Sequence, residues 1–93
     1  MKSKFSNIMQ NLQINETLFL KNKAYIIIIT KLTSIDYKLI YYFGLKDNTE
    51  VFYLDRHELN IIFGGTEIFE YFKESGPLDM ETMFLISNDL LNN

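Results

Sequence analysis

The sequence predicts an α+β domain: an N-terminal helix, a four-stranded antiparallel meander, and two to three short C-terminal helices laid on it. Three observations predict this. Apolar residues recur at helical spacing near the start of the chain and again after residue 54, and at strand spacing in between. Turn-forming residues punctuate the middle at short intervals, which makes successive strands antiparallel neighbours. The charge changes sign at nearly the same border. Residues 1–49 carry seven lysines against three acids, net +4, and residues 50–93 carry two bases against nine acids, net −7. A molecule divided in this way has a field that selects partners and biases their approach.

The first helix is expected over residues 3–12. Phe5, Ile8, Met9 and Leu12 fall at i, i+3, i+4 and i+7, with Ser3 placed to cap. So short a helix is marginal alone and must dock. Strands follow at 16–20, 23–32, 37–45 and 50–54, with turns at Lys21-Asn22, at 34–36 and at Lys46-Asp47-Asn48-Thr49. In the third strand Tyr37, Leu39, Tyr41 and Phe43 share one face, and Lys38, Ile40 and Tyr42 the other. Ile26-Ile27-Ile28-Ile29 and Tyr41-Tyr42-Phe43 are apolar on both faces, so both faces of the central strands are covered, at least in part. Either the sheet curls into a small barrel or helices cover one side and something else the other. The strands together with the short helix that follows Leu54 look like a small SH3-like barrel, an analogy of fold that implies no function.

Beyond Leu54 the period becomes helical. Asp55 and Glu58 form a capping box, Leu59, Ile62 and Phe63 a stripe, and Gly64-Gly65 a stop by positive φ. Thr66 is expected to cap a second helix carrying Ile68, Phe69 and Phe72, ended by Ser75-Gly76-Pro77. Asp79 caps a last helix with Met80, Met83, Phe84, Leu90 and Leu91 on one face; residues 82–87 alone also read as a strand, and helix is the expectation.

The chain has 93 residues, enough for one domain with its own core, and no cysteine, so it has neither disulfides nor a thiolate zinc site. The longest apolar run is six residues, 24–29, far below the ~20 of a membrane helix, and no export signal is legible. A cytoplasmic protein is therefore expected. Ile, Lys, Asn, Phe and Tyr supply 43 of the residues, the mark of AT-rich coding sequence, as in low-GC bacteria and their phages and plasmids.

No residue stands out as catalytic. His57 is the only histidine, and it sits in the first turn of a capped helix with no second histidine to share a metal. Gly64-Gly65-Thr66 lacks the lysine of a phosphate loop and is followed by Glu67 and Glu70. No cofactor or metal is expected, and an enzyme is not. Three binding surfaces are. Tyr42 with Ile40 anchors a partner if it lies outside the core. Glu67, Glu70, Glu74, Asp79 and Glu81 present an acidic surface to a basic one. Alternatively, Lys23, Lys31, Lys38 and Tyr25 line a sheet face that stacks bases and holds phosphates of single-stranded nucleic acid. The function expected is non-catalytic protein binding. Its sharper form is a small stoichiometric inhibitor or anti-defence protein of a phage or mobile element, acting in the host cytosol on a nucleic-acid-handling enzyme. A homodimer that pairs the oppositely charged halves uses the same features.

Overall fold

The computed structural model describes residues 3–45, 49–68, 70–76 and 78–92. The chain opens with β1 (Ser3–Lys4) and runs directly into α1 (Phe5–Gln10). The meander follows as β2 (Thr17–Lys21), β3 (Ile26–Lys31), β4 (Asp36–Tyr42) and β5 (Glu50–Asp55), then α2 (Arg56–Phe63), β6 (Glu67–Ile68), β7 (Tyr71–Glu74) and α3 (Met80–Leu91). The sheet is antiparallel throughout, in the order β5-β4-β3-β2-β7; β1 and β6 form a separate two-stranded ribbon.

Side-chain alternation sorts the core into two clusters. On one face of the sheet Leu18, Leu20, Ile27, Ile29, Tyr37 and Leu39 meet Phe5, Ile8 and Leu12 around α1 and Leu59 and Phe63 of α2. On the other, Phe19, Ile26, Ile28, Ile40 and Tyr42 meet Met83 and Phe84 of α3. The isoleucine run of β3 is buried on both sides, as its sequence requires. Helices supply both covers: α1 and α2 one, α3 the other.

The local signals act where the sequence places them. Glu58 N–H donates to Asp55 Oδ1 at 2.8 Å and Asp55 N–H to Glu58 Oε1 at 3.0 Å, a complete capping box at the start of α2. Asp79 Oδ1 accepts from Thr82 N–H at 2.7 Å and starts α3, and residues 82–87 are helical. Tyr42 stacks on Phe84, with centroids 4.7 Å apart, and its hydroxyl donates to Asn88 Oδ1 at 2.8 Å.

Several expectations are overturned. The sheet does not curl, and no SH3-like barrel forms: β5 and β7 lie at opposite edges. The helix expected after Thr66 is instead β6 and β7. A helix between Thr66 and Ser75 has two turns and little intrinsic stability. Strand geometry lets Tyr71 and Phe72 pair with Leu20 and Phe19 along the free edge of β2, a ladder that continues through Lys21 N–H to the Glu70 carbonyl at 3.1 Å. Gly64 has a right-handed φ of −51°, and only Gly44 and Gly76 among the glycines have positive φ. Gly64 serves close approach, because a Cβ there would collide with the Asn60 carbonyl. The N-cap of α1 is Lys4, without a side-chain cap, because β1 is held in its ribbon with β6. The β2–β3 hairpin turns on Lys23-Ala24, not Lys21-Asn22. Asn22 N–H donates to the Tyr25 carbonyl at 2.9 Å, and Asn22 Oδ1 accepts from Lys23 N–H at 2.7 Å. The third strand stops at Tyr42, before Gly44 at φ +93°. The expected turn residues 46–48, and Phe69 and Pro77, lie outside the described residues.

The α3 cover generates three predictions. Phe84→Ala should cost ~3–5 kcal/mol in denaturant unfolding, from the lost ring and its cavity, and Tyr42→Phe about 1 kcal/mol, from one hydrogen bond. Hydrogen bonding from Thr82, side chain first and backbone second, holds the Asp79 carboxyl below its ordinary 3.8. A depressed folded pKa gives stability that is present above the unfolded value and lost as pH falls through the folded one. The protection factor of the Thr82 amide, corrected for intrinsic exchange, should therefore fall on acidification below 3.8, and in Asp79→Asn the same acid step should be absent.

Candidate functional site

The two helices of the first cluster cover only part of their face. They bury Leu18, Leu20, Ile27, Ile29, Tyr37 and Leu39, while Tyr25, Tyr41 and Leu54 are only partly buried against the cluster. At the margin of that cluster four aromatic rings stand side by side. Tyr25 is 5.1 Å from Phe43 and 6.1 Å from Tyr41 between centroids, and Tyr41 meets Phe52 edge-on at 6.0 Å. The register puts all four on one side: Ile27 pairs with Tyr41, and Leu39 with Phe52. Phe43 is 53% exposed and Phe52 39%, while Tyr25 and Tyr41 are half-buried between them. Burial pushes the Tyr41 phenol above its ordinary 10.0, and Tyr25 adds to the shift.

The rings continue into a cleft of about 650 Å³ between the β2–β3 hairpin, the end of α2 and β6. Leu20, Tyr25 and Ile27 form its sheet side and Ile62, Phe63 and Ile68 its facing side, with Lys21, Lys23, Glu67 and Glu70 also at its lining. Asn22 Nδ2 donates to the Tyr25 hydroxyl at 2.8 Å and fixes the ring at the junction. The surface is thus apolar and aromatic, with both signs of charge beside it. This suits recognition by shape and ring contact more than by net charge.

The residues singled out from sequence are placed apart. Tyr42 and Ile40 are each 1% exposed beneath α3, so neither reaches a partner while that helix is docked. Glu67 lies in the ribbon with β1, and Glu70 sits 3.8 Å from Lys21. Glu74 is half-buried opposite Thr17, Asp79 caps α3, and Glu81 is in its first turn. The acids therefore do not share one helical face. Where β7 joins β2, opposite charges interleave, with Lys73 3.8 Å from Glu16. Among the lysines, Lys23 is at the hairpin tip beside Tyr25. Lys31 is at the far end of β3, donating to the Leu12 carbonyl at 3.1 Å, and Lys38 pairs with Thr30 on the α3 face. No continuous basic track joins the three.

The exposed first turn of α2 holds His57, and among the described residues no group of three or more His, Cys, Asp or Glu is placed to hold a metal ion. No helix among them is long and apolar enough to cross a membrane. Comparison with family models, curated proteins and solved structures gives no match.

What sequence reasoning missed is the exposure of Phe43, Phe52 and the rest of β5. Glu50-Val51-Phe52-Tyr53-Leu54 is apolar on both faces after its first residue, yet residues 50–53 are exposed. An apolar run in the last strand of a meander, with too little helix left to cover it, was the available signal. Exposure also separates rings that carry stability from rings that do not. Phe19→Ala should cost ~3–5 kcal/mol of stability and Phe43→Ala less than about 1 kcal/mol, compared by thermal and denaturant unfolding.

Proposed function

We propose that this protein is a non-catalytic protein-binding module whose contact surface is the ring cluster Tyr25, Tyr41, Phe43 and Phe52 with the adjoining cleft. The observation that carries the reading is that these rings touch one another with Phe43 and Phe52 exposed at the two ends of the row. Clustered aromatics have few torsions to freeze and much area to bury, which is why they dominate binding hot spots. In its sharper form the proposal is a stoichiometric inhibitor, of the kind a phage or other mobile element directs at a host enzyme that handles nucleic acid. With Glu67, Glu70, Glu74, Asp79 and Glu81 dispersed, the mode of inhibition proposed is aromatic docking and not imitation of a nucleic acid's charge.

One observation favours a second reading. Lys23 stands exposed at the hairpin next to Tyr25, so the same rings also suit stacked bases of a single strand. Affinity purification from the source cell with wild-type and Phe43→Ala baits, followed by calorimetry on the recovered partner, separates the two. Protein docking predicts a partner whose affinity falls at least about tenfold on loss of the ring, a change of ~1.4 kcal/mol. Oligonucleotide binding that weakens with salt at about −0.7 per phosphate contact, with no protein retained, would transfer the surface to nucleic acid.

A further inference from the structure

The outer edge of β5 carries a second interaction surface, made of backbone, and it goes beyond the reading of the aromatic cluster. Six residues long, β5 ends the sheet, and among the described residues no strand pairs with its outer side. Exposed edges are ordinarily blunted by lysine, proline or a covering element. Neither lysine nor proline occurs in Glu50–Asp55, and Val51, Phe52 and Tyr53 are 41%, 39% and 69% exposed. The opposite edge, β7, has only four residues, with Lys73 among them.

The free groups on this edge follow from the ladder. Arg56 N–H donates to the Ile35 carbonyl at 2.9 Å, so Ile35 and Arg56 are a hydrogen-bonded pair in the same register as Tyr37–Leu54 and Leu39–Phe52. Antiparallel pairs alternate. Residues 50, 52, 54 and 56 therefore bond inward to β4, and Val51, Tyr53 and Asp55 turn their N–H and C=O outward. Of these, the Asp55 N–H is already taken by Glu58 Oε1 at 3.0 Å. What remains is a matched set: both groups of Val51 and both of Tyr53.

We infer that the occupant of this edge is a second copy of the chain, paired β5 to β5 about a two-fold axis perpendicular to the sheet and passing beside Phe52. In that register Val51 of each copy faces Tyr53 of the other, and every free N–H and C=O of the two residues is satisfied. Centring on Tyr53 instead would call on the occupied Asp55 N–H, and centring on Val51 would draw in Thr49, outside the strand. The charges agree with the Phe52 register. Glu50 lies opposite Leu54 of the second copy with Arg56 two residues further on, Asp55 lies opposite Thr49, and among residues 49–55 no like charges are directly opposite each other. Phe52 meets its own symmetry mate as a close, non-hydrogen-bonded pair. Because each Phe52 touches Tyr41 in its own copy, the two ring clusters become one surface across a ten-stranded sheet. The contact is small, below the ~1,200 Å² of standard interfaces, so a reversible, weak dimer is expected.

The cysteine-free chain makes a direct test. Phe52→Cys under a thiol–disulfide buffer should cross-link to a dimer of twice 11.0 kDa, whereas Tyr53→Cys should not, its symmetry mates lying beyond the ~7 Å disulfide limit. Sedimentation equilibrium of the wild-type chain should show monomer and dimer exchanging with concentration. Tyr53→Pro, which removes only an outward N–H, should give monomer with unchanged circular dichroism. Should that variant misfold, Phe52→Lys, which sets two lysines against each other at the axis, must also give monomer. A wild-type chain that stays monomeric up to millimolar concentration, equal cross-linking of the two cysteine variants, or a dimer that survives Phe52→Lys would each overturn the inference. Phe43→Ala should leave self-association intact, so failure here and failure of the aromatic-docking reading are told apart.

Discussion

Four consecutive isoleucines in β3 set the constraint on which the rest of the structure depends. Ile26 and Ile28 point to one face and Ile27 and Ile29 to the other, and all four are buried. Each fully buried side chain of this kind is worth ~1.5–3 kcal/mol against exposure, so neither face of the central sheet can be left to water. The helical residues must therefore be divided. The six of α1 and eight of α2 go to one face, and the twelve of α3 to the other. Helices this short cannot span a five-stranded sheet on two sides. They bury most of β2, β3 and β4 and leave residues 50–53 of β5 exposed. The exposure of Phe43, Phe52 and Tyr53 is thus a consequence of how the centre is closed.

The parts of the fold that were legible in the sequence are those decided within a few residues. The Asp55–Glu58 box and the Asp79 cap each bond across three positions, so the identities of neighbouring residues suffice to place them. The alternation of β4 likewise fixed which of Tyr37, Leu39, Ile40, Tyr41 and Tyr42 share a side. Residues 66–74 went the other way because their fate is decided more than fifty residues away. Apolar and acidic residues there satisfy a helical spacing well enough, but β2 offers an unpaired ladder at which Phe72 can also reach Phe19, 6.0 Å between centroids. A local propensity of tenths of a kcal/mol per residue does not compete with a row of backbone hydrogen bonds and a ring contact to the buried Phe19.

That same pairing dissolves the expected separation of charge. As a helix, residues 66–74 would have gathered Glu67, Glu70 and Glu74 on a solvated face away from the lysines. As strands they lie along β1 and β2, with Glu70 beside Lys21 and Glu16 reached by Lys73. Pairs this exposed add little to stability, and their effect is on the outer field, which they shorten in range. For the candidate site, the structure separates two groups of aromatics that the sequence left together: Tyr42 is buried and Phe43 and Phe52 are exposed. Sequence identified surplus aromatics, and chose Tyr42 because its face was unassigned. Which face α3 covers is a tertiary choice, and α3 took the Tyr42 side, with Phe84 and Asn88 shaped to the ring and its hydroxyl.

An apolar edge left open has a cost that a folding argument alone does not explain. A lysine at Phe52 or Tyr53 would keep the ladder to β4, since the backbone makes it, and would disfavour unwanted pairing. Neither ring is needed to fill the core: both are substantially exposed, and the residues they oppose, Leu39 and Lys38, are held by β3 on their other side. Retaining aromatic residues at these positions makes physical sense if something covers them. The ring cluster and the strand edge meet at Phe52, so a partner that paired with the edge would also change the shape of the aromatic surface beside it.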